Sequence, residues 1–302
     1  MTDQRRKIVG LGEILWDMLP NGKQLGGAPS NFAYISTLLG NEGIVASRVG
    51  RDSLGNEAIG QLAQLGVDTA SIQADPVHPT GTVQVEVDHA GQPKFEIAEA
   101  VAWDFLEWTP AWQQLAARAD AICFGSLAQR APASRATIRQ FVGAAKQDAV
   151  RIFDVNLRQQ FHSKEVLAES FKVADIVKLN HEELPRLMQM FGLQHRDEIA
   201  SADSLVQLHN LKLICVTRGY RGSLLINHRT LNQHPGYQIQ IGDAIGAGDA
   251  FTAALVYEYL QGASLPRMNE TANKMGAWVA SRVGGMPMPK DGGIQDELSH
   301  IS

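Results

Sequence analysis

Short apolar runs without polar alternation, spaced by longer amphipathic stretches, leave few folds open to this chain. Ile8–Leu11, Ile44–Val49, Ala121–Phe124, Arg151–Asp154, Ile176–Leu179, Leu213–Thr217, Leu224–Ile226 and Gln238–Ile241 read as strands. Asn31–Leu39, Asn56–Leu65, Ala111–Ala119, Ser134–Lys146, Lys164–Lys172, Glu182–Met190, Ala250–Leu260 and Met268–Ser281 read as helices. A strand that lacks a polar face is buried on both sides, and the intervening helices supply the cover. The pattern predicts an α/β fold of three layers, doubly wound on a mainly parallel sheet. Ligands then bind beyond the carboxyl ends of its strands.

One region breaks this pattern. Thr82–Asp88 alternates Val83, Val85 and Val87 with Gln84, Glu86 and Asp88, and a turn through His89–Gln92 leads to Phe95 and Ile97. This reads as a half-exposed β-hairpin inserted into the α/β core. At 302 residues the chain is long for one core and short for two. No linker or repeat divides it, so the expectation is one domain over 1–302 with a small β lid around 13–25 and 80–103. An exposed edge hairpin suits a substrate lid, a homodimer surface, or both.

A net charge of −5 gives no electrostatic reason to bind nucleic acid or an anionic membrane. No apolar run approaches membrane-spanning length. The first apolar stretch is interrupted by Gly10, Gly12, Glu13 and Asp17, unlike the core of a signal peptide. Cys123 and Cys215 each sit inside an apolar strand-like run, which fits buried free thiols in a reducing cytoplasm. The expectation is a cytoplasmic protein. His181-Glu-Glu-Leu-Pro185 lacks the second histidine of a zincin helix.

Chemistry concentrates in two segments. In Asp243-Ala-Ile-Gly-Ala-Gly-Asp249, placed between a strand-like run and a long apolar helix, the N–H groups of Gly246, Ala247 and Gly248 lie at the positive end of a helix dipole. Asp249 beside them supplies a base. Donors for developing charge next to a base suit phosphoryl transfer to a hydroxyl. The plainer alternative is an ordinary glycine turn before a helix. In Gly26-Gly-Ala-Pro-Ser-Asn31, paired glycines allow close approach to the backbone, and Ser30 or Asn31 is placed to cap a helix. Asn31 offers both donor and acceptor to neighbouring hydroxyls, and Asp17 can bind two hydroxyls at once or face solvent from a loop.

Together these strings, in this order and at this spacing, resemble the two signatures of the ribokinase-like (PfkB) carbohydrate kinases, and the resemblance covers essentially the whole chain. Gly12-Glu-Ile-Leu-Trp-Asp17, Gly125-Ser-Leu-Ala128, Phe153-Asp-Val-Asn-Leu-Arg158 and Lys178-Leu-Asn-His-Glu-Glu183 are most similar to fructokinases. The resemblance implies that Asp249 is the catalytic base and that Gly246–Gly248 form the anion hole for the γ-phosphoryl group of ATP. It implies that Asp17, Gly26, Gly27 and Asn31 bind the sugar. Asn180 and Glu183 match an Asn-x-x-Glu motif that organises Mg²⁺ and phosphate, usually through water. Thr217, Gly219 and Gly222 match a turn that contacts the nucleotide, and Asn273 falls where the family packs adenine and ribose. Lid hairpins in this family often pair between subunits, which implies a homodimer.

The chain contains no Gly-x-x-x-x-Gly-Lys-[Ser/Thr] loop, so phosphate charge must be met by backbone amides, Mg²⁺ and a few cations. Arg158, just past a strand end, suits a phosphate-facing cation; the alternative is a surface salt bridge. Lys178 either contacts phosphate or snorkels to solvent. Glu183 also looks like a dipole-matched first-turn carboxylate. The sequence departs from the family in carrying Ala244 where a threonine is common and Met288 where a polar residue is common. Ala244 should tune activity rather than abolish it, and Met288 bears on whether K⁺ binds at Asp243 and Ile245, near Arg282–Gly285.

The reading is a kinase that phosphorylates a primary hydroxyl of a free sugar, with fructose to fructose 6-phosphate as first choice. A sibling kinase for 2-keto-3-deoxygluconate, ribose or a nucleoside is the nearest rival. A sugar sensor on the same scaffold is the rival of another class, although a pure binder has no need of a base beside an anion hole. A dinucleotide-dependent oxidoreductase fails, because Gly10-Leu-Gly12 lacks the third glycine or alanine of that fingerprint.

Overall fold

The structure, a computed structural model, describes residues 5–301 except 21, 88–92, 195, 291 and 292. In chain order the strands are β1 Lys7–Leu11, β2 Leu15–Leu19, β3 Gly22–Gly26, β4 Glu42–Gly50, β5 Ile72–Asp75, β6 Gly81–Val87 and β7 Pro93–Ile97. They continue with β8 Ala121–Gly125, β9 Val150–Asp154, β10 Ile176–Asn180, β11 Leu213–Thr217, β12 Ser223–Ile226 and β13 Leu231–His234. A nine-stranded sheet runs in the order β13-β12-β11-β10-β9-β8-β1-β4-β5. Its strands are parallel from β5 to β11, and β12 and β13 extend that edge antiparallel.

Alternate strand residues point to opposite faces, and here both faces are apolar. Ile8, Cys123, Ile152 and Ile176 join one core, with the helices Ala28–Leu38, Ala247–Leu260 and Leu265–Ala280. Their neighbours Val9, Ile122, Phe153 and Val177 join the other, with the helices Pro132–Gly143, Lys164–Val173, Glu183–Phe191 and Glu198–His209. The result is a three-layer, doubly wound fold. Ala247–Leu260, buried along most of its length, packs against both Ala28–Leu38 and Leu265–Ala280. That packing fixes its N-terminus above the carboxyl ends of the central strands.

The inserted β element is larger than a hairpin. β6 and β7 pair antiparallel as the alternation predicts, and β2 and β3 join them in a four-stranded sheet of order β3-β2-β6-β7. The hairpin's turn lies outside the described residues. Leu15, Val83 and Ile97 are buried on one face of this small sheet, and Trp16 and Leu25 on the other. Trp103 is fully buried and Phe105 stacks on His78 at 3.6 Å between ring centroids, so the aromatic residues near the lid serve packing.

Three local expectations are corrected. Gln238–Ile241 is not a strand. It runs over the surface with Ile241 61 % exposed, and the edge strand is β13, paired to β12 with Leu224 opposite Gln233. The turn at Asp243 therefore follows an irregular segment. The cap of the first helix is Gly27, not Ser30 or Asn31. Gly27 holds φ at 106°, and its carbonyl accepts from the N–H groups of Ser30 and Asn31. Asp17 lies in β2 of the lid rather than in a loop. Two helices escaped the sequence pattern, Glu198–His209 and Gly293–Ser299. The first is marked by Asp197, whose side chain caps it by accepting from Ala200 N at 2.8 Å.

Candidate active site

Asp249 occupies the first turn of Ala247–Leu260, after Gly246 at the N-cap with φ 76°. The helix's internal bonding begins with Ala250 N to Gly246 O at 2.9 Å. Ala247 N makes only a long 3.4 Å turn contact to Ala244 O. The Ala247 and Gly248 N–H groups thus sit at the positive end of the dipole, as an anion site requires. Gly246 is obligatory here. Its backbone is left-handed, and a Cβ would collide with Gly285. The turn is closed by Asp243, whose carboxylate accepts from Ile245 N at 3.0 Å and from Gly284 N at 3.3 Å.

Asn31 reaches this turn from the helix that follows β3. Its Nδ2 donates to Asp249 Oδ2 at 2.7 Å. Its Oδ1 is buried and has no hydrogen-bond partner among the described residues, so an acceptor is left for a ligand hydroxyl. Gly27 lies beside Glu13, whose carbonyl oxygen would stand 2.5 Å from a Cβ on that residue. Gly26 lies under Asp17, with Asp17 Oδ2 2.8 Å from where a Cβ would be. The sugar-site residues named from the sequence are therefore drawn together at the lid's base.

Three carboxyl groups here hold their protons more tightly than usual. Burial pushes Asp249 up to about 6, helped by repulsion from Asp154 and opposed by Lys178, the Asn31 hydrogen bond and Arg158. Burial likewise raises Glu13 to about 7, with Asp249 adding and Arg158 opposing. Asp17 is raised to about 6 by burial and by Asp243, again against Arg158. Arg158 is exposed and makes no ion pair among the described residues, yet its charge is felt by all three carboxyls. The surface salt bridge that the sequence left open does not form among the described residues. Glu13 was not singled out as a site residue; the signal was a carboxylate in the otherwise apolar stretch that follows β1.

Below Asp249 lies a buried ion pair. Lys178 Nζ contacts both oxygens of Asp154 at 3.1 Å, and Thr252 Oγ1 stands 3.5 Å from Asp154 Oδ2. Burial alone would lower the Lys178 ammonium, but Asp154, Glu183 and Asp249 hold it above the usual lysine range. Lys178 does not snorkel. It is buried, and its Nζ lies 2.9 Å from where a Cβ on Gly248 would be, directly under the anion turn.

Asn180 and Glu183 engage each other's backbone. Asn180 Oδ1 accepts from the N–H groups of Glu182 and Glu183, both at 2.9 Å. Glu183 accepts from Asn180 N at 2.8 Å and from Leu157 N at 2.7 Å. Burial raises the Glu183 pKa against the field of Lys178. The Thr217 hydroxyl stands 3.4 Å from Leu179 O at the end of β11. Gly219 and Gly222 form the tight turn to β12, with Gly222 pressed against His234. Asn273 is buried, and its amide donates to Ser223 Oγ at 2.8 Å and to Asn269 O at 2.7 Å. An open groove of about 370 Å³ runs along Ile239–Gly242 to Ser281.

A helix N-terminus with free N–H groups beside a buried carboxylate, on a doubly wound sheet under a β lid, suits transfer of a phosphoryl group to a small hydroxyl compound. Residues 21–291 match the pfkB family carbohydrate kinase model. The chain is 31 % identical to a sugar kinase of Pyrococcus horikoshii over 96 % of this chain and 94 % of that one. The crystal structure of that uncharacterized kinase superposes with a TM-score of 0.82 over 97 % of this chain and 96 % of that chain. A fructokinase of Escherichia coli is 31 % identical over 83 % of each chain. A fructokinase structure from Vibrio cholerae, bound to fructose, ADP and calcium, is 25 % identical with a TM-score of 0.78 over 94 % of this chain and 95 % of that chain. The chain belongs to the pfkB family of carbohydrate kinases. It is a sugar phosphotransferase.

Proposed function

We propose that the protein transfers the γ-phosphoryl group of ATP to a primary hydroxyl of free fructose. The observation that carries this reading is Asp249 at the helix N-terminus, held by Asn31, with an unsatisfied Asn31 oxygen beside it. Asp249 accepts the proton of the attacking hydroxyl, while Asn31, Asp17 and the Gly26–Gly27 backbone orient the sugar. The Gly246, Ala247 and Gly248 N–H groups and the Arg158 guanidinium meet the charge on the transferred group. In a loose transition state the proton moves late, so geometry matters more than base strength. The lid sheet excludes water from the sugar, which limits hydrolysis of ATP.

The nucleotide lies along the Thr217–Gly222 turn and the groove at Ile239–Gly242, with Asn273 shaping its floor through Ser223. Mg²⁺ on the phosphates would neutralise charge there. Asn180 does not fit as a direct ligand, since its Oδ1 already accepts two N–H bonds. Glu183 keeps one lone pair on each oxygen, which suits contact through water. Asp243 and the Ile245 carbonyl are the candidates for a K⁺ site in the same turn. A homodimer would form through the lid sheet. Among the described residues no helix is long and apolar enough to cross a membrane.

Fructose is favoured over other acceptors by the fructokinases among the relatives. A coupled ADP-release assay over fructose, ribose, 2-keto-3-deoxygluconate and adenosine tests the assignment. Preferred turnover of fructose supports it. Preference for another acceptor moves the substrate within the family, and sugar binding without turnover on any acceptor supports the sensor.

A further inference from the structure

Glu183 has a partner that neither its helix nor its motif accounts for. A first-turn carboxylate that only served its own helix would bond locally, as the bond to Asn180 N does. Its other oxygen accepts from Leu157 N, 26 residues earlier, at 2.7 Å, and the carboxylate is buried. Leu157 lies in the turn after β9, between Asn156 with φ 42° and Gln159 with φ 47°. Left-handed backbone is disfavoured for residues that carry a Cβ, and such conformations persist only where the surroundings enforce them.

Three ties enforce this one. Glu183 holds Leu157 N, Ser126 Oγ donates to Val155 O at 2.7 Å, and Gln159 Nε2 donates to Phe95 O in lid strand β7 at 2.6 Å. Asp154 and Asn156 of this turn line the same small cavity as Asp249, Thr252 and Pro29. The residue carried between the ties is Arg158, exposed and without a carboxylate partner among the described residues.

We infer that Glu183 is a positioning residue, holding the Asp154–Gln159 turn through the Leu157 N–H so that Arg158 faces the transferred phosphoryl group. Gln159 extends the same device to the lid, so that β7 and Arg158 move as one body. This rests on the kinase reading and assigns Glu183 a task in it that needs no metal.

A double-mutant cycle between Glu183 and Arg158 tests the inference, with kcat on fructose and ATP measured across free Mg²⁺ concentrations. Glu183→Gln is expected to lower kcat about tenfold or more, as a small misplacement near the chemistry does. In an Arg158→Ala background the same change is expected to cost less than about twofold. The free Mg²⁺ giving half the maximal rate should stay put. Equal losses in both backgrounds, or recovery of Glu183→Gln by added Mg²⁺, would overturn it.

Gln159→Ala, at an exposed site, gives the same test if Glu183→Gln does not fold. Its loss should likewise vanish in the Arg158→Ala background, and a loss that persists there counts against the inference. Calorimetric ATP affinities of the same variants separate the two levels. If the wild type binds ATP without turnover, the kinase reading fails, and the cycle is judged on affinity by the same coupling criterion. If the wild type binds no ATP, both fall.

Discussion

Asn31 and Asp249, 218 residues apart in the chain, meet in a hydrogen bond of 2.7 Å that ties the helix after β3 to the helix bearing the candidate base. The bond stabilises the charged carboxylate and so opposes the upward pull of burial on its pKa. Asn31→Ala should therefore lower kcat about tenfold or more and raise the pH at which activity appears. Both follow from one pH–rate series. A profile superimposable on wild type would show that Asn31 does not govern Asp249.

The pH dependence of activity has a definite sign. Asp249 accepts a proton only when ionised, so kcat/KM should rise with pH through an apparent value near 6 and level off above it. A profile that is flat from pH 5 to 8 would remove Asp249 from the rate-determining chemistry.

Stability should run the other way. Glu13, Asp17 and Asp249 have folded pKa values of about 7, 6 and 6, above their ordinary 4.5, 3.8 and 3.8. Their proton-bound forms favour the fold below about pH 4, and this contribution is lost as pH climbs through 6 to 7. The melting temperature of the ligand-free protein should fall by several degrees between pH 5 and 8. Glu13→Gln should flatten that slope and stabilise the protein at pH 8 by on the order of 1–3 kcal/mol. An unchanged slope in thermal melts of the variant would contradict the account of Glu13.

Lys178 and Asp154 form a buried pair in which each depends on the other. Lys178→Met leaves the Asp154 carboxylate uncompensated and should cost about 3–5 kcal/mol in urea unfolding. Adding Asp154→Asn should recover much of that loss. Failure of the second change to help would mean that Asp154 is neutralised by other groups.

Gly285 tests the closure of the site from the far end of the chain. A Cβ there would stand 2.6 Å from Asn31 Oδ1. Gly285→Ala should therefore push Asn31 off Asp249 and reproduce the kinetic loss of Asn31→Ala, about tenfold or more, with the two changes not adding. Additive losses in kcat would show that Gly285 acts elsewhere.

The sequence disclosed the centre of the large sheet because those strands are buried on both faces and read as apolar runs such as Ala121–Phe124; the partly exposed edge strands β5 and β13 carry no such run. It marked the Asp249 turn because two glycines and a carboxylate stand directly before a long apolar helix. It did not disclose what depends on register between distant segments. β2 and β3 are short and partly polar, so although 13–25 was expected in the lid, nothing local marks Asp17 as a strand residue. Ile239 and Ile241 mimic a strand but are not paired into either sheet. Glu183 read from its own surroundings as a helix-start carboxylate and only through the resemblance as a metal-motif residue, and only the fold brings Leu157 N to it.

The central claim is that Asp249 serves as the base for transfer from ATP to a sugar hydroxyl. Single-turnover phosphorylation of fructose by wild type and Asp249→Asn, with fructose affinity measured alongside, tests it most directly. The account predicts a loss of about 10²–10⁴-fold in the phosphorylation rate with fructose affinity nearly unchanged. A variant that phosphorylates fructose within a few fold of wild type would contradict it.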